Sequence, residues 1–331
     1  MNTQVDPKTT SVSMVDALNL ALHDAMTEDP NVLVFGEDVG VLGGVFRVTS
    51  GLANTFGPDR CFDTPIAESG IIGMAIGMTA LGLRPVVELQ FDAFGYPAME
   101  QIFSHLAKLR NRTEGQWSVP IVVRVPYGGG IGAVEHHSDS SEAYFASTPG
   151  LKVYTPATVN DAYTMMREAI HQDDPVIFFE PKKLYWEKDK LLAPTSATLT
   201  PGGARVRKSG QDATLITYGQ CLPVCLAAAK EAAAEGFDVG VVDLRSVVPF
   251  DEDTTADELI KTGRGIVVHE SSGFCGVGAE ITARLTELCF DDLEAPIQRV
   301  TGRDIPYPPP HLEHLHLPNV SRILDALATV L

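Results

Sequence analysis

Strand-like and helix-like stretches alternate along almost the whole chain, and this alternation limits the fold more than any other property. Strands separated by helices return parallel, so the sheet they form is covered on both faces. In the first run, the spacing of Met14, Ala17, Leu18, Ala21, Leu22 and Ala25 predicts a helix in SMVDALNLALHDAMTEDP. NVLVFGED then reads as a buried strand ending in acids, and a helix runs from about Glu68 to Ala80. RPVVELQF is a strand, PAMEQIFSHLAKLR an amphipathic helix, and PIVVRVPYG a strand leading into GGGIGAVEHHSDSSE. LKVYTPA, a helix through DAYTMMREAIH, and PVIFFEP complete the unit.

The segment from about Lys183 to Lys208 is rich in Pro, Thr, Lys and charge, shows no sustained period, and reads as a linker. A second alternation follows: the strand ATLITYG, a helix stopped by Gly236, DVGVVDLRSVVPF as one strand, a short helix, the strand RGIVVHES, the helix GAEITARLTELCF and a last helix in the tail. The expected class is α/β in two domains, residues 1–185 and 207–331, joined by a linker at 186–206.

A length of 331 residues suits two domains, each able to bury its own core. With 44% hydrophobic and 21% charged residues, the composition is that of a soluble globular protein. Every apolar stretch is broken by Gly, Pro or charge before it spans a bilayer, so no membrane role is expected. The start, MNTQVDPKTTSVSMVDAL, has no basic region followed by an apolar core and a cleavage site, which makes the cytoplasm the default. A net charge of −18 argues against tight nucleic-acid binding, which rests on neutralising phosphates, and suits a basic protein partner. Five cysteines without paired metal-ligand spacing read as reduced thiols.

Glu68 stands out chemically, as one acid in the apolar, glycine-notched run IAESGIIGMAIGMTALG. Burial there would make the carboxyl costly to ionise, the condition enzymes use to hold a proton near neutrality. The plainer reading places it in the first turn of a helix, at the positive end of the dipole. Gly70, Gly73 and Gly77 follow on one helix face and each costs about 1 kcal/mol against alanine, which predicts close approach of a helix or ligand to bare backbone. His136 and His137 sit in an acidic, serine-rich loop, where paired imidazoles suggest function more than packing. Gly128, Gly130 and Ala133 fit GxGxxA, but no acid follows at the distance a ribose requires, so a loop of tight turns is the better reading. His311, His314 and His316 mimic a metal cluster, while their proline-flanked setting reads as a surface turn.

The stretches VFGEDVG, FDTPIAESGIIGMAIGMTALGLRPVVELQFDAFGYPAMEQI, GGIGAVEHHSDSSEAYFASTPGLKVYTPAT, DPVIFFEPK and VVDLRSVVPFDEDT resemble, in this order and across nearly the whole chain, the β subunits of thiamine-diphosphate-dependent 2-oxo acid dehydrogenases. The resemblance implies a transketolase-like pyrimidine-binding domain followed by a transketolase-type C-terminal domain, in a heterotetramer of two α and two β subunits. It implies that Glu68 hydrogen-bonds the aminopyrimidine nitrogen of thiamine diphosphate and favours the tautomer that deprotonates the thiazolium carbon. Phe94 falls beside the pyrimidine, where the family often has tyrosine, with Gln90 just before it. His137 matches the histidine implied in acyl transfer to a lipoyl arm, and His136 is its neighbour. A structural potassium site of backbone carbonyls would map onto Val119, Ile121, Val122, Ala169, Gln172 and Asp174.

The chain has no GDG motif, with which the superfamily's magnesium-diphosphate anchor begins, so magnesium ligands are expected from the α subunit and the cofactor across the interface. The expected activity is oxidative decarboxylation of a branched-chain 2-oxo acid such as 3-methyl-2-oxobutanoate, with acyl transfer to the lipoyl groups of the acyltransferase core. The alternatives are pyruvate or acetoin dehydrogenase and, from another class, a flavin- or nucleotide-binding electron-transfer subunit. A self-sufficient transketolase-like enzyme is disfavoured by length and by the missing motif.

Overall fold

The computed structural model describes residues 11–192 and 203–331. The first ten residues of the supposed leaderless start and the middle of the expected linker lie outside the described residues. The first half contributes strands β1 (Ser11–Ser13), β2 (Val32–Gly36), β3 (Cys61–Asp63), β4 (Arg84–Glu88), β5 (Val122–Tyr127), β6 (Lys152–Tyr154), β7 (Val176–Pro181) and β8 (Lys188–Lys190). The second contributes β9 (Arg205–Lys208), β10 (Ala213–Thr217), β11 (Val239–Asp243), β12 (Ser246–Val248), β13 (Gly265–Ser272) and β14 (Gln298–Gly302).

Two parallel sheets result, as the alternation requires. The first runs β12-β6-β7-β5-β4-β2-β3 and the second β14-β13-β10-β11-β9, with only the end strands β12 and β9 antiparallel. Strand β2 shows why both faces are covered. Val32 and Val34 join one core with the helix Met14–Glu28, while Leu33 and Phe35 join another with Ile71, Ile72 and Ala75 of the helix Glu68–Thr79. Successive side chains of a strand point to opposite faces, so an unbroken apolar run needs two apolar covers. The helix Met14–Glu28 starts at a capping box in which Ser13 Oγ accepts from Asp16 N and the Asp16 carboxylate accepts from Ser13 N.

Three elements differ from their sequence reading. PAMEQIFSHLAKLR is not one amphipathic α-helix: a 3-10 stretch, Asp92–Ala98, contains Pro97, a π turn spans Gln101–Leu106, and a short helix covers Leu109–Arg112. Proline breaks the helical hydrogen-bond ladder, and Ala107 N then reaches back to Ile102 O at 2.9 Å, the wider π spacing. DVGVVDLRSVVPF is two strands in two sheets, because Arg245 takes a left-handed φ of 60° and sends β12 to the edge of the first sheet. The supposed linker carries β8, which pairs with β1, and β9, which pairs with β11. KDK and RVRK lack an apolar period because both lie at sheet edges, where charged side chains are tolerated.

Buried charges join the domains. Asp161 forms an ion pair with Arg245, whose Nε lies 3.0 Å away, and another with Arg207, whose Nη2 lies 2.6 Å from Asp243 Oδ2. Both aspartate side chains are fully enclosed.

Candidate active site

The carboxyl ends of the parallel strands gather the chemistry, which is where open α/β sheets bind ligands. The chain leaves β2 into Glu37 and Asp38, β3 into the approach to Glu68, β4 into Gln90 and Phe94, and β5 into the glycine loop and His136–His137.

Glu68 is the first residue of its helix, so the plainer local reading of its position holds. It is only half-buried within this chain, so the enclosure its sequence setting suggests is incomplete here. Among the described residues nothing hydrogen-bonds its carboxylate. Glu37, at the end of β2, has one buried oxygen without a partner. Its carboxyl is pushed up by desolvation first, then by the nearby charges of Glu68, Asp38 and Glu88. Gln90 turns its amide onto the same corner, donating to Asp38 Oδ2 at 3.1 Å and to Glu37 O at 3.4 Å.

Phe91 and Phe94 form an aromatic wall beside this acidic corner. Their rings lie 5.3 Å apart, and His137 packs edgewise on both, at 4.2 and 5.2 Å. His136 stacks on Phe94 at 6.0 Å and lies 4.6 Å from His137. Glu68, Gln90, Phe94, His136 and His137 thus belong to one region, linked through Glu37 and the wall. His137 Nδ1 is buried without a partner. Desolvation, then the charges of His136 and Lys182, hold its pKa below the ordinary imidazole value.

The glycine loop does not hold a nucleotide's phosphates, because its amides are already taken. Gly129 N donates to Glu270 Oε1, Gly130 N to the Tyr307 hydroxyl at 3.3 Å and Gly132 N to Glu313 Oε2 at 3.0 Å. All three acceptors belong to the C-terminal domain, so the loop is a clasp between domains. Gly128, Gly130 and Gly132 have φ of 81°, 85° and 69°, and a Cβ on Gly129 would collide with Tyr307. The C-terminal histidines divide: His311 and His314 are exposed, whereas His316 is buried and packs on Tyr307 at 5.0 Å, so the surface-turn reading fails for that residue. Among the described residues no His, Cys, Asp or Glu cluster could hold a metal ion.

Sequence reasoning missed the ionic floor beneath the site. Arg124, fully buried on β5, gives Nε and Nη2 to Glu180 at 2.7 and 2.8 Å and Nη1 to Glu88 at 2.6 Å, while Tyr185 donates to Glu180 at 2.6 Å. A charged residue inside each of three apolar strand runs was the available signal. Of the six residues expected around potassium, Val119 and Ile121 meet the segment after the helix Val159–His171, with Val119 N donating to Asp173 O at 3.1 Å and Ile121 O accepting from Val176 N at 2.9 Å, and Ala169 lies in the last turn of that helix. Within that group Gln172 O already accepts from Arg84 Nη2 at 2.8 Å, and the Asp174 carboxylate pairs with Arg110 and Lys152.

Gly70 and Gly77 are exposed, a Cβ on Gly77 would meet nothing, and one on Gly73 only the side chain of Gln101. No packing among the described residues accounts for these glycines. Two clefts, of about 430 and 420 Å³, lie between the domains and include neither Glu68 nor Gln90.

The fold and site define a class, the thiamine-type transketolase domains: residues 10–187 match the family model "Transketolase, pyrimidine binding domain" and 202–323 match "Transketolase, C-terminal domain". A split-gene transketolase, solved as an inactive beta4 tetramer, has the same fold, with a TM-score of 0.77 at 21% identity over 97% of this chain and 98% of that one. Within the class, the chain belongs to the β subunits of the 2-oxo acid dehydrogenases. It is 52% identical to the 3-methyl-2-oxobutanoate dehydrogenase β subunit of Mycobacterium tuberculosis, covering 98% of this chain and 93% of the relative. The pyruvate dehydrogenase β subunit of Leifsonia xyli is 50% identical (97% and 95% covered), and the 2-oxoisovalerate dehydrogenase β subunit of Bacillus subtilis 42% (96% and 97%).

Proposed function

We propose that this chain is the β half of an enzyme that oxidatively decarboxylates a branched-chain 2-oxo acid such as 3-methyl-2-oxobutanoate and passes the acyl group to a lipoyl arm. The observation that carries this reading is the acidic corner of Glu68, Glu37 and Gln90, from which the chain runs directly into the Phe91–Phe94 wall on which His137 packs. Thiamine diphosphate fits it: a flat heterocycle with polar edges needs a ring face and an acceptor carboxylate, and Phe94 and the unpartnered Glu68 carboxylate offer both. When bound, that cofactor supplies the nucleophilic carbon and the electron sink for decarboxylation.

This chain's own residues bind, orient and move protons. Glu68 would hold a proton on the ring nitrogen it faces, and Gln90 steadies Asp38 beside it. Phe94 packs without donating a hydroxyl. His137, with Nδ1 buried and its pKa depressed, is kept neutral and would exchange a proton at Nε2 during acyl transfer, with His136 at its side. The magnesium ligands for the diphosphate belong to the partner α subunit, whose approach the bare glycines of the Glu68 helix favour. A lipoyl-bearing acyltransferase core is the onward partner. Potassium at Val119, Ile121, Val122, Ala169, Gln172 and Asp174 completes the reading, supported by the contacts of Val119 and Ile121 with the segment Asp173–Val176 and by the carbonyls freed in the last helical turn.

Pyruvate is the second reading, favoured by the 50% identity to a pyruvate dehydrogenase β subunit. Co-expression with the α chain and assay of the purified assembly on 3-methyl-2-oxobutanoate, pyruvate and acetoin decides between them. The highest kcat/KM is expected for the branched acid. A preference for pyruvate or acetoin would move the assignment, and turnover by the isolated chain would refute the shared site.

A further inference from the structure

We infer that Glu270 is a positioning residue for His137: from the C-terminal domain, its carboxylate staples both ends of the loop that carries the histidines, with Lys182 as its buried counter-charge. Glu270 Oε1 accepts from Gly129 N at the start of the loop and from Ser140 Oγ, at 3.2 Å, three residues beyond His137. One oxygen from the second domain thereby ties both ends of a segment whose middle Tyr307 and Glu313 of the same domain also hold. The staple continues inward. Ser141 N donates to Asp92 Oδ2 at 2.7 Å, in the turn that carries Phe94, and Tyr218 donates to Glu142 at 2.6 Å.

Lys182 explains how so many acids share this interior. Its side chain is 2% exposed and Nζ has no hydrogen-bond partner among the described residues, yet it lies among Asp92, Asp139 and Glu270 and stands 5.8 Å above the Phe91 ring on which His137 packs. Burying an ammonium is costly unless opposite charge surrounds it, so Lys182 and these acids hold one another in place. Replacing Glu270 weakens the staple and changes the field at His137, which Lys182 reaches directly. The groups facing Glu270 are Lys182 after β7, Glu142 on the following helix, Tyr127 on β5, Cys221 and Tyr307.

The titrations give the staple a sign. Burial pushes Glu270 and Asp92 up to about 7 and Lys182 down to about 8. Glu270 takes up a proton as pH falls through about 7, and because its pKa is raised above the ordinary 4.5 the closed loop gains stability on that protonation.

The role of His137 rests on the function proposed above, but the staple itself is read without chemistry. Hydrogen exchange of the Gly129–Ser141 amides is measured in the assembled complex between about pH 8 and about pH 6, corrected for intrinsic rates. In the natural protein, protection is expected to rise as pH falls through about 7, because the closed loop binds the Glu270 proton more tightly than the open one. In Glu270→Gln, which cannot take up that proton, it is expected to be flat across that range and about tenfold below the natural protein at about pH 6. The same variant should slow lipoyl acylation several-fold more than decarboxylation read with an artificial acceptor. Adding Lys182→Met should restore part of the lost protection. Natural protein with pH-independent protection, or Glu270→Gln with the natural profile, overturns the inference. Lost protection with both chemical steps unchanged leaves the staple but removes His137 from it as a target, refuting the positioning role.

Discussion

A carboxylate at the first position of a helix, with no hydrogen-bond partner among the described residues, is what the proposed role of Glu68 requires. Glu68 and His137 answer to different demands, and paired substitutions separate them. Glu68→Gln keeps shape and removes the charge that would hold a proton on a ring nitrogen. Turnover should fall by about 10²–10⁴, the range for a positioned acid or base, with assembly by sedimentation unchanged; near-normal kcat would sink the assignment. His137→Ala should spare decarboxylation with an artificial acceptor and reduce acylation of a lipoyl domain. Equal losses in both would mark the histidine as structural. The depressed pKa of His137 sets the sign of its pH dependence: the neutral imidazole persists below the ordinary 6.5, so acyl transfer should hold to lower pH than a free histidine would allow.

At the scale of elements, the helix Glu68–Thr79 accepts a loss of intrinsic stability that nothing in its described surroundings returns. Gly73→Leu improves helix propensity and meets only the flexible Gln101 side chain, so the separate chain should be no less stable. Assembly with the α chain should weaken by tenfold or more, as read by sedimentation of the mixed subunits, and an unaltered heterotetramer would show that the face is not an interface. This helix was legible because its exceptions, Glu68 and three glycines, interrupt an otherwise apolar pattern. The parallel strands were legible for the opposite reason, since two covered faces leave continuous apolar runs. Hidden elements were those whose partners are distant in sequence. Edge strands β8 and β9 carry charge where an apolar period was sought, and one turn at Arg245 divides a single apolar run between two sheets. The candidate site was legible as residue types but not as an arrangement. Glu270 lies more than a hundred residues from the loop it holds, and the clasp at Gly129, Gly130 and Gly132 looks like a phosphate loop until its acceptors are seen.

For the whole molecule, the seam at Asp161, Arg207, Asp243 and Arg245 couples the domains, and its two acids titrate in opposite senses. Desolvation opposes ionisation of Asp161, but Arg245 and Arg207 overcome it and hold the carboxyl below its ordinary 3.8. Asp161 therefore contributes stability above 3.8 that is lost only as pH falls through its lower folded value. Asp243, fully buried, is pushed up to about 6 by desolvation despite the same Arg207. Its contribution runs the other way: it is fully present below 3.8 and lost as pH rises through about 6, because ionising it inside the fold is costly. Acidification from about 6 to about 4 should thus strengthen the Asp243 side of the seam before it weakens the Asp161 side. Asp243→Asn should remove that rise, flattening the midpoint of urea unfolding over this interval against the natural chain. Asp161→Asn leaves two arginines sharing one carboxylate, and breaking a buried pair costs about 3–5 kcal/mol, so it should lower stability across neutral pH. A natural chain whose unfolding midpoint falls on acidification from about 6, with the same slope in Asp243→Asn, would show that the seam does not set the pH response of the domain contact.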